Sequence, residues 1–593
     1  MAHSCGQRVA TRLLVFAVVV TFLSQFNISI MYTIINVPEP ILVDFFNRSI
    51  RRQLEGAKGA AELGANHTGW SQQSYWNPIL VGALDSLSRV ELSSLWGAFA
   101  SMFPVGIFVG AAGLAPTIAD RWGRRSTLFV VANVIVLAGC AATIASQFWQ
   151  LFELLFVGRL LQGIAAGVSA SVCPVYLSEC SPLQVRGFLN SVRGVFAYLV
   201  AALGIALSLP QCLGTERLWG LCLSIQGFVA IIQLMTTCLF PESPAYDLGH
   251  GQRERALRTL VWLFPSASHV DWHRDQDDVD ARDDIEETPS EAFERIESEL
   301  AGDRGTDGQP RRRLVVSAWD VLRIPWLRRA GLLAAGLGVS KPLTGLSLVD
   351  MYSSHMMIEA GISKQQSHYA SLGLQLVGAS ISVAVTFLVE RVGRRPLILY
   401  TVIGSLTIWI AIAAVRYVST YTMPPPNSDL PALQWILLGL YVAFAFVHPV
   451  GSTMVAWFMA AELAPTRARA TVTAASVWAG PPLAIFTLIA YPTIDSSSLG
   501  PTSVVLVFIL PLICLCMAFW MYLPETKQRP LEDILRDLGK PTGNTADNST
   551  ETTEMERDSS SLITADVLSA TSQGEIRDPF AVPRVGYVGP RSI

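Results

Sequence analysis

The sequence predicts an all-α membrane protein in which twelve transmembrane helices form two parallel six-helix bundles, with cytosolic helices between the halves. Three observations carry that prediction. Of the 593 residues, 51% are hydrophobic and only 15% charged, against about 25% charged in an ordinary soluble protein. Apolar runs of about the 20 residues that cross a bilayer recur along the chain. The second half also repeats charged motifs of the first at a fixed offset.

The runs begin near Leu13, Trp96, Thr127, Leu151, Phe188, Trp219, Ala330, Ser367, Pro396, Leu433, Ala470 and Thr502. The first continues apolar to Ile35 without a small-residue cleavage site, so it reads as a span and not as a signal peptide. Two short loops, DRWGRRS (120–126) and ERVGRRP (390–396), crowd arginines after the second and eighth spans. Short arginine-rich loops face the cytosol. Both termini then lie in the cytosol, including residues 1–12, and the segment 45–90 lies outside. Asn47-Arg48-Ser49 and Asn66-His67-Thr68 fall in that outer loop and match the N-glycosylation acceptor pattern.

Composition excludes several classes. The nine cysteines lie mostly within spans, at no metal-ligand or disulfide spacing, so neither a metal nor a cofactor is expected. A net charge of −4 gives no reason to expect nucleic acid. No nucleotide-binding loop or catalytic constellation appears, and the chain is not expected to be an enzyme.

The duplication is legible in the charges. YLSECSPLQVRG (176–187) answers FMAAELAPTRARA (458–470), and PESP at 241 answers PETK at 524. Glu179 to Glu462 and Pro241 to Pro524 are both 283 positions apart, and in each copy an arginine follows the glutamate by seven residues, Arg186 and Arg469. Parallel six-span halves, here 13–246 and 329–527, are a transporter architecture with the solute site between them near the midplane. Between the halves, 247–328 is polar. Periodic apolar residues in ALRTLVWLF (256–264) and LVVSAWDVL (314–322) predict short helices, while the acidic stretch 277–287 and the tail 528–593 read as disordered. Both are candidate surfaces for cytosolic partners.

At the inner face the repeat carries acids as well as bases: Asp120, Arg121, Arg124, Arg125, Glu179, Arg186 and Glu242 in the first copy; Glu390, Arg391, Arg394, Arg395, Glu462, Arg469 and Glu525 in the second. Acids contribute little to the positive-inside rule. Their recurrence predicts an ionic latch that bridges the halves when the cytosolic side is closed, each exposed pair contributing about 1 kcal/mol or less.

DRWGRR, GRLLQGIAAGVSASVCPVYLSECSPLQVRG, PESPAY, ERVGRR, WFMAAEL and PETK, with IINVP at 34–38, resemble the sugar-porter family of the major facilitator superfamily, nearest to animal facilitative glucose transporters. The resemblance covers the chain apart from the acidic insert and the tail. It implies a plasma-membrane carrier of hexose working by alternating access, with the sugar held mainly by polar side chains of the C-terminal half. The site departs from the family pattern. Where span seven of the family reads roughly QQLSGINAVFYYS, the aligned residues include Lys341, Pro342 and Ser347; the family's amide side chains in spans five, eight and eleven align with Gly194, Gly378 and a position near Gly480. Trp457 of span ten is retained, and His448 stands upstream of it. Lys341, Thr344, Ser347, Asp350, Tyr352, His448 and Trp457 are therefore the candidate solute residues.

Lys341 poses the main question, because an ionisable group at bilayer depth normally faces a cavity or a partner. Three readings stand. The lysine binds an anionic solute or displaces a proton; it pairs with Asp350; or it is tolerated in a pocket that no longer transports. Nine residues of intact helix would separate Lys341 from Asp350 by about 13.5 Å, so the second reading requires the helix to break at Gly345. His448 reads as a hydrogen-bonded interior histidine, and Arg193 as a side chain that snorkels to the cytosolic surface. A hexose carrier with an altered site is the reading adopted. A carrier of another, anionic solute and a non-transporting sensor are its alternatives.

Overall fold

The computed structural model describes residues 11–64, 89–181, 183–263, 292–294, 296–297, 318–359, 362–421, 431–452, 454–464, 466–495, 502–527, 529 and 531–539. Asn66, the acidic stretch 277–287 and the tail beyond residue 539 lie outside the described residues. So do the side chains of Arg186, Glu390, Trp457 and Arg469.

Among the described residues, nine helical segments are long and apolar enough to cross a membrane and three shorter apolar helices accompany them, twelve in all. In chain order they are Leu13–Thr33, Ser94–Trp122, Arg124–Trp149, Phe152–Glu179, Val192–Ser208, Ile225–Leu239, Pro325–Ile358, Lys364–Val389, Arg394–Val418, Trp435–Val450, Thr471–Tyr491 and Thr502–Tyr522. They are called spans one to twelve below. The chain is a multi-pass membrane protein. Large side chains that face outward in the middle of spans are apolar, such as Phe228, Met235, Phe387 and Met517, as a lipid-facing surface requires.

Helix packing is intimate where small residues allow it. Gly106, Gly110, Gly163 and Gly167 line the contact of spans two and four, and a Cβ at any of them would come within 3 Å of the other span's backbone. Close approach through small residues is how membrane helices associate, because lipid supplies no hydrophobic drive between them.

The outer loop differs from expectation. Residues Glu39–Gly64 form a helix, whose Leu42, Phe45, Phe46 and Ile50 are buried at the three- and four-residue spacing of one helical face. Phe45 packs on Trp219 with ring centroids 4.9 Å apart, and Phe46 on Phe99 at 5.5 Å. In this helix Asn47 is half-buried. Ser49, the third residue of its acceptor triplet, donates to Gln150 O at 2.6 Å and accepts from Phe152 N at 3.2 Å.

On the cytosolic side, helix Arg253–Leu263 bears out the periodicity of 256–264. Its Ala256, Leu260 and Leu263 join Leu13, Phe16 and Leu177 in one cluster that also includes Ile296, so it docks on the N-terminal half. Of 314–322, residues 318–322 are described and belong to the helix Ala318–Arg323, while 314–317 lie outside the described residues. The tail is not disordered from its start. Leu531–Asp537 is helical because Ile534, Leu535 and Leu538 are buried in the core, and Arg329 Nη1 donates to Leu538 O at 3.1 Å.

Candidate functional site

Span seven is broken. Its first helix ends at Leu343 and the next begins at Leu346, with Gly345 between them at φ +94°. Positive φ costs an L side chain roughly 1–2 kcal/mol, and a Cβ here would also stand 2.3 Å from Trp409 Cζ2. The tryptophan in turn satisfies the backbone that the break exposes: its Nε1 donates to Thr344 O at 2.8 Å. An unwound segment inside a membrane is tolerated only where protein groups meet its polar atoms.

His448 ties this break to two other positions. Thr344 Oγ1 lies 2.9 Å and Ser452 Oγ 3.0 Å from Nε2, while Tyr198 Oη lies 3.1 Å from Nδ1. Thr344 Oγ1 also donates to Lys341 O at 3.0 Å. A neutral ring with its proton on Nε2 fits this set, accepting from the phenol at Nδ1. The residue is an interior hydrogen-bonded histidine, as its position in the sequence suggested. Thr344 is correspondingly occupied by the fold.

Lys341 and Asp350 lie on opposite sides of the break, but no ion pair joins them among the described residues. Asp350 Oδ1 accepts from Gln375 Nε2 at 2.9 Å. Lys341 is half-buried, and its Nζ sits 5.7 Å from the centre of the Tyr32 ring of span one, a cation–π distance. The break that the second reading requires is present; the amide of span eight takes the carboxylate, and Lys341 and Asp350 stay within electrostatic range of each other without direct contact. Arg193 does not snorkel away: it lies within electrostatic range of Lys341 and of the Cys173 thiol in span four. Ser347 is buried beside the break.

Tyr352 belongs elsewhere. It is 2% exposed, meets Trp96 edge-on at 6.4 Å and lies in a seal that closes the outer end. In that seal Asn36 Nδ2 donates to Asp350 O at 3.1 Å and Ser353 Oγ at 2.6 Å, and Oδ1 accepts from Ser354 N at 2.9 Å. Glu39 meets His355 Nδ1 at 3.3 Å, Ser94 meets Thr493 at 3.3 Å, and Gln211 donates to Tyr369 Oη at 3.2 Å. Each of these contacts joins one half to the other. The residues missed in the sequence, Tyr32, Asn36, Tyr198, Gln375 and Trp409, are ordinary polar or aromatic members of apolar runs. Only Asn36, inside IINVP, carried a signal.

The inner-face charges form two copies of one network. Arg124 meets Asp120 at 3.3 Å and Glu179 at 3.1 Å; the Arg125 amide donates to Glu242 Oε1 at 2.9 Å; and Ser243 Oγ donates to Glu179. In the second copy Arg394 meets Glu462 at 3.7 Å, the Arg394 and Arg395 amides donate to Glu525 at 3.0 and 3.1 Å, and Thr526 Oγ1 donates to Glu462 at 2.5 Å. Gly123 at φ +91° and Gly393 at φ +103° turn the chain against Glu242 and Glu525. Glu525 feels burial, which raises its pKa, but donation from the amides of Lys527, Arg394, Arg395 and Thr526 outweighs it and holds the carboxyl below its usual range. These described pairs each lie within one half, where the sequence led us to expect bridges between halves. In these pairs the loop after span two meets residues at the ends of spans four and six of its own bundle. Arg121 and Arg391 are exposed and contribute backbone carbonyls, to Tyr246 and Lys527.

An apolar groove of about 510 Å³ lies between spans one and six, lined by Val15, Val19, Ile232 and Trp262 among others. It touches none of the candidate solute residues.

A family profile described as "Sugar (and other) transporter" matches residues 13–538. The bovine "Solute carrier family 2, facilitated glucose transporter member 3" is 26% identical over 544 residues, covering 90% of this chain and 94% of its own length. The human "facilitated glucose transporter member 7" is 28% identical over 399 residues, 66% of this chain and 69% of its own. Among solved structures, the "proton:xylose symporter XylE bound to 6-bromo-6-deoxy-D-glucose" superposes with a TM-score of 0.63 at 17% identity, covering 89% of this chain and 99% of its own. That last likeness concerns the fold.

Proposed function

The chain belongs to the sugar transporter family, and from that membership we propose that it is a facilitative carrier of the plasma membrane, moving a hexose down its gradient by alternating access. The observation that supports this most directly is the broken seventh span, which carries Lys341 one turn before the break and sets its Nζ 5.7 Å from the centre of the Tyr32 ring in the opposite half. Discontinuous helices at the interface of two repeats are where such carriers hold their solute. Lys341, Ser347 and Asp350 border the solute, with Trp457 as a further candidate; Thr344 and His448 fix the break between Lys341 and the other two residues of span seven. Tyr352 acts through the outer seal.

The inner-face network serves the same cycle. Within each half it fastens the helix ends so that the bundle moves as a body, and the latch between halves forms when the cytosolic side closes. Glycosylation at Asn47 or Asn66 and partners of the tail remain part of this proposal.

Saturable uptake of radiolabelled hexose into proteoliposomes containing the full chain, reduced by Trp457→Leu, is the expected result. Absence of saturable uptake for every hexose tried would overturn the hexose reading. Binding of cytosolic proteins through 247–328 or 528–593 without flux would then favour a sensor.

A further inference from the structure

Among the described residues, the ionisable side chains set inside the spans include Arg159 of span four and Lys341 and Asp350 of span seven, and Arg193 stands at the start of span five. They form one electrostatic cluster. Tyr32 feels both Asp350 and Arg159, and Lys341 feels both Asp350 and Arg193.

The groups differ in what already occupies them. Arg159 is 2% exposed; its Nη2 donates to Met31 O at 2.5 Å and its guanidinium lies over Phe103 at 4.8 Å. Asp350 accepts from Gln375. Lys341 has the Tyr32 ring, and among the described residues no hydrogen bond or ion pair ends on its Nζ. An ammonium with no hydrogen-bond acceptor is a costly arrangement in a low-dielectric interior, since charges there are normally paired. The ring of Tyr32 offsets part of that cost. A solute that brings one negative charge would offset more, and it would do so between the halves, where both bundles can feel it.

We propose that the solute is a monosaccharide carrying one carboxylate, a uronate or an aldonate, with that carboxylate set on Lys341 Nζ. This rests on the carrier reading above. The sugar ring accounts for the family membership and the carboxylate for the lysine. A neutral hexose leaves the ammonium without an acceptor of matching charge. A sugar phosphate brings more charge and more acceptor oxygens than one flexible ammonium serves, a task suited to several converging donors. Downhill movement of a monoanion by a carrier with no co-transported ion carries current.

The full chain is reconstituted in liposomes, and uptake of radiolabelled glucuronate, gluconate and glucose is compared for the wild type, Lys341→Gln and Lys341→Arg. The expected result is saturable acid-sugar uptake by the wild type, faster when a valinomycin potential makes the vesicle interior positive. Lys341→Arg should retain it, and Lys341→Gln should lose at least tenfold of it while keeping or gaining glucose uptake. Glucose uptake without acid-sugar uptake by the wild type overturns the inference and leaves the hexose carrier standing. Acid-sugar uptake undiminished in Lys341→Gln overturns it also, since the lysine then selects nothing. Loss of both solutes in Lys341→Gln and Lys341→Arg alike assigns the lysine to the fold and overturns it. No saturable uptake of any of the three by the wild type defeats the carrier reading and the inference together.

Discussion

Tyr198 of span five and His448 of the tenth span meet across the interface between the two six-span halves, with Oη 3.1 Å from Nδ1. Because the same imidazole holds Thr344 and Ser452 through Nε2, one ring joins the N-terminal bundle to the break in span seven. Tyr198→Phe removes the donor to Nδ1 and leaves a buried acceptor unsatisfied, a cost of about 1–3 kcal/mol. A thermal melt in detergent should fall, and His448→Phe, which also abandons Thr344 and Ser452, should fall further. Equal melting of Tyr198→Phe and wild type would show that the bond contributes nothing to this state.

The break at Gly345 makes a sharper prediction. Gly345→Ala combines a left-handed backbone with a Cβ that stands 2.3 Å from Trp409, so the variant should yield little monodisperse protein on size exclusion. Trp409→Phe is milder: it keeps an aromatic ring against Phe508, with which Trp409 stacks at 4.6 Å, but withdraws the N–H from Thr344 O. Its expected cost is about 1–3 kcal/mol, read as a lower melting temperature with folding retained.

Asn36 should govern the outer seal. Its amide makes three hydrogen bonds to the second helix of span seven, and Asn36→Ala removes them all. In a Cys212→Ser background, a cysteine placed at the buried Val349 should then react several-fold faster with a membrane-impermeant maleimide added outside. An unchanged rate would mean that closure does not depend on Asn36.

Acid should loosen the inner-face network of the C-terminal half. The Glu525 carboxyl is held below its usual value of 4.5 by four backbone amides. A group whose folded pKa is depressed contributes stability above its unfolded pKa and loses it as pH falls through the folded one. The contribution is therefore complete at neutral pH and disappears below pH 4.5. Glu525→Gln should lower the melting temperature at pH 7 and have no effect once the wild-type carboxyl is protonated; an equal deficit at both pH values would assign the loss to packing.

How much of this was legible from residue order depends on the physics behind each feature. The spans were legible because a bilayer imposes length and apolarity on a local segment. The duplicated network was legible in outline, since Glu179 and Glu462 recur with their neighbours at one offset. The helix Glu39–Gly64 is hard to see in the sequence, although Leu42, Phe45, Phe46 and Ile50 have helical spacing, because outside a span the charges around them mask the pattern. The early end assigned to ordered structure, before Leu531, failed for a similar reason: three apolar residues among charges acquire meaning only against a core that other segments build.

At the site, sequence alone determined that Lys341 stands at bilayer depth and that Gly345 is the place where span seven must break for Lys341 and Asp350 to approach. Only the tertiary structure decided what each group meets. Asp350 is taken by Gln375, Thr344 by His448, Tyr352 by Trp96, and Lys341 is left with Tyr32. Local order fixes which residues enter the membrane, because burial in lipid is a property of a segment. Partnership between charges fixed on different spans is a property of how those spans pack, and neither the periodicity nor the composition of a single span contains it.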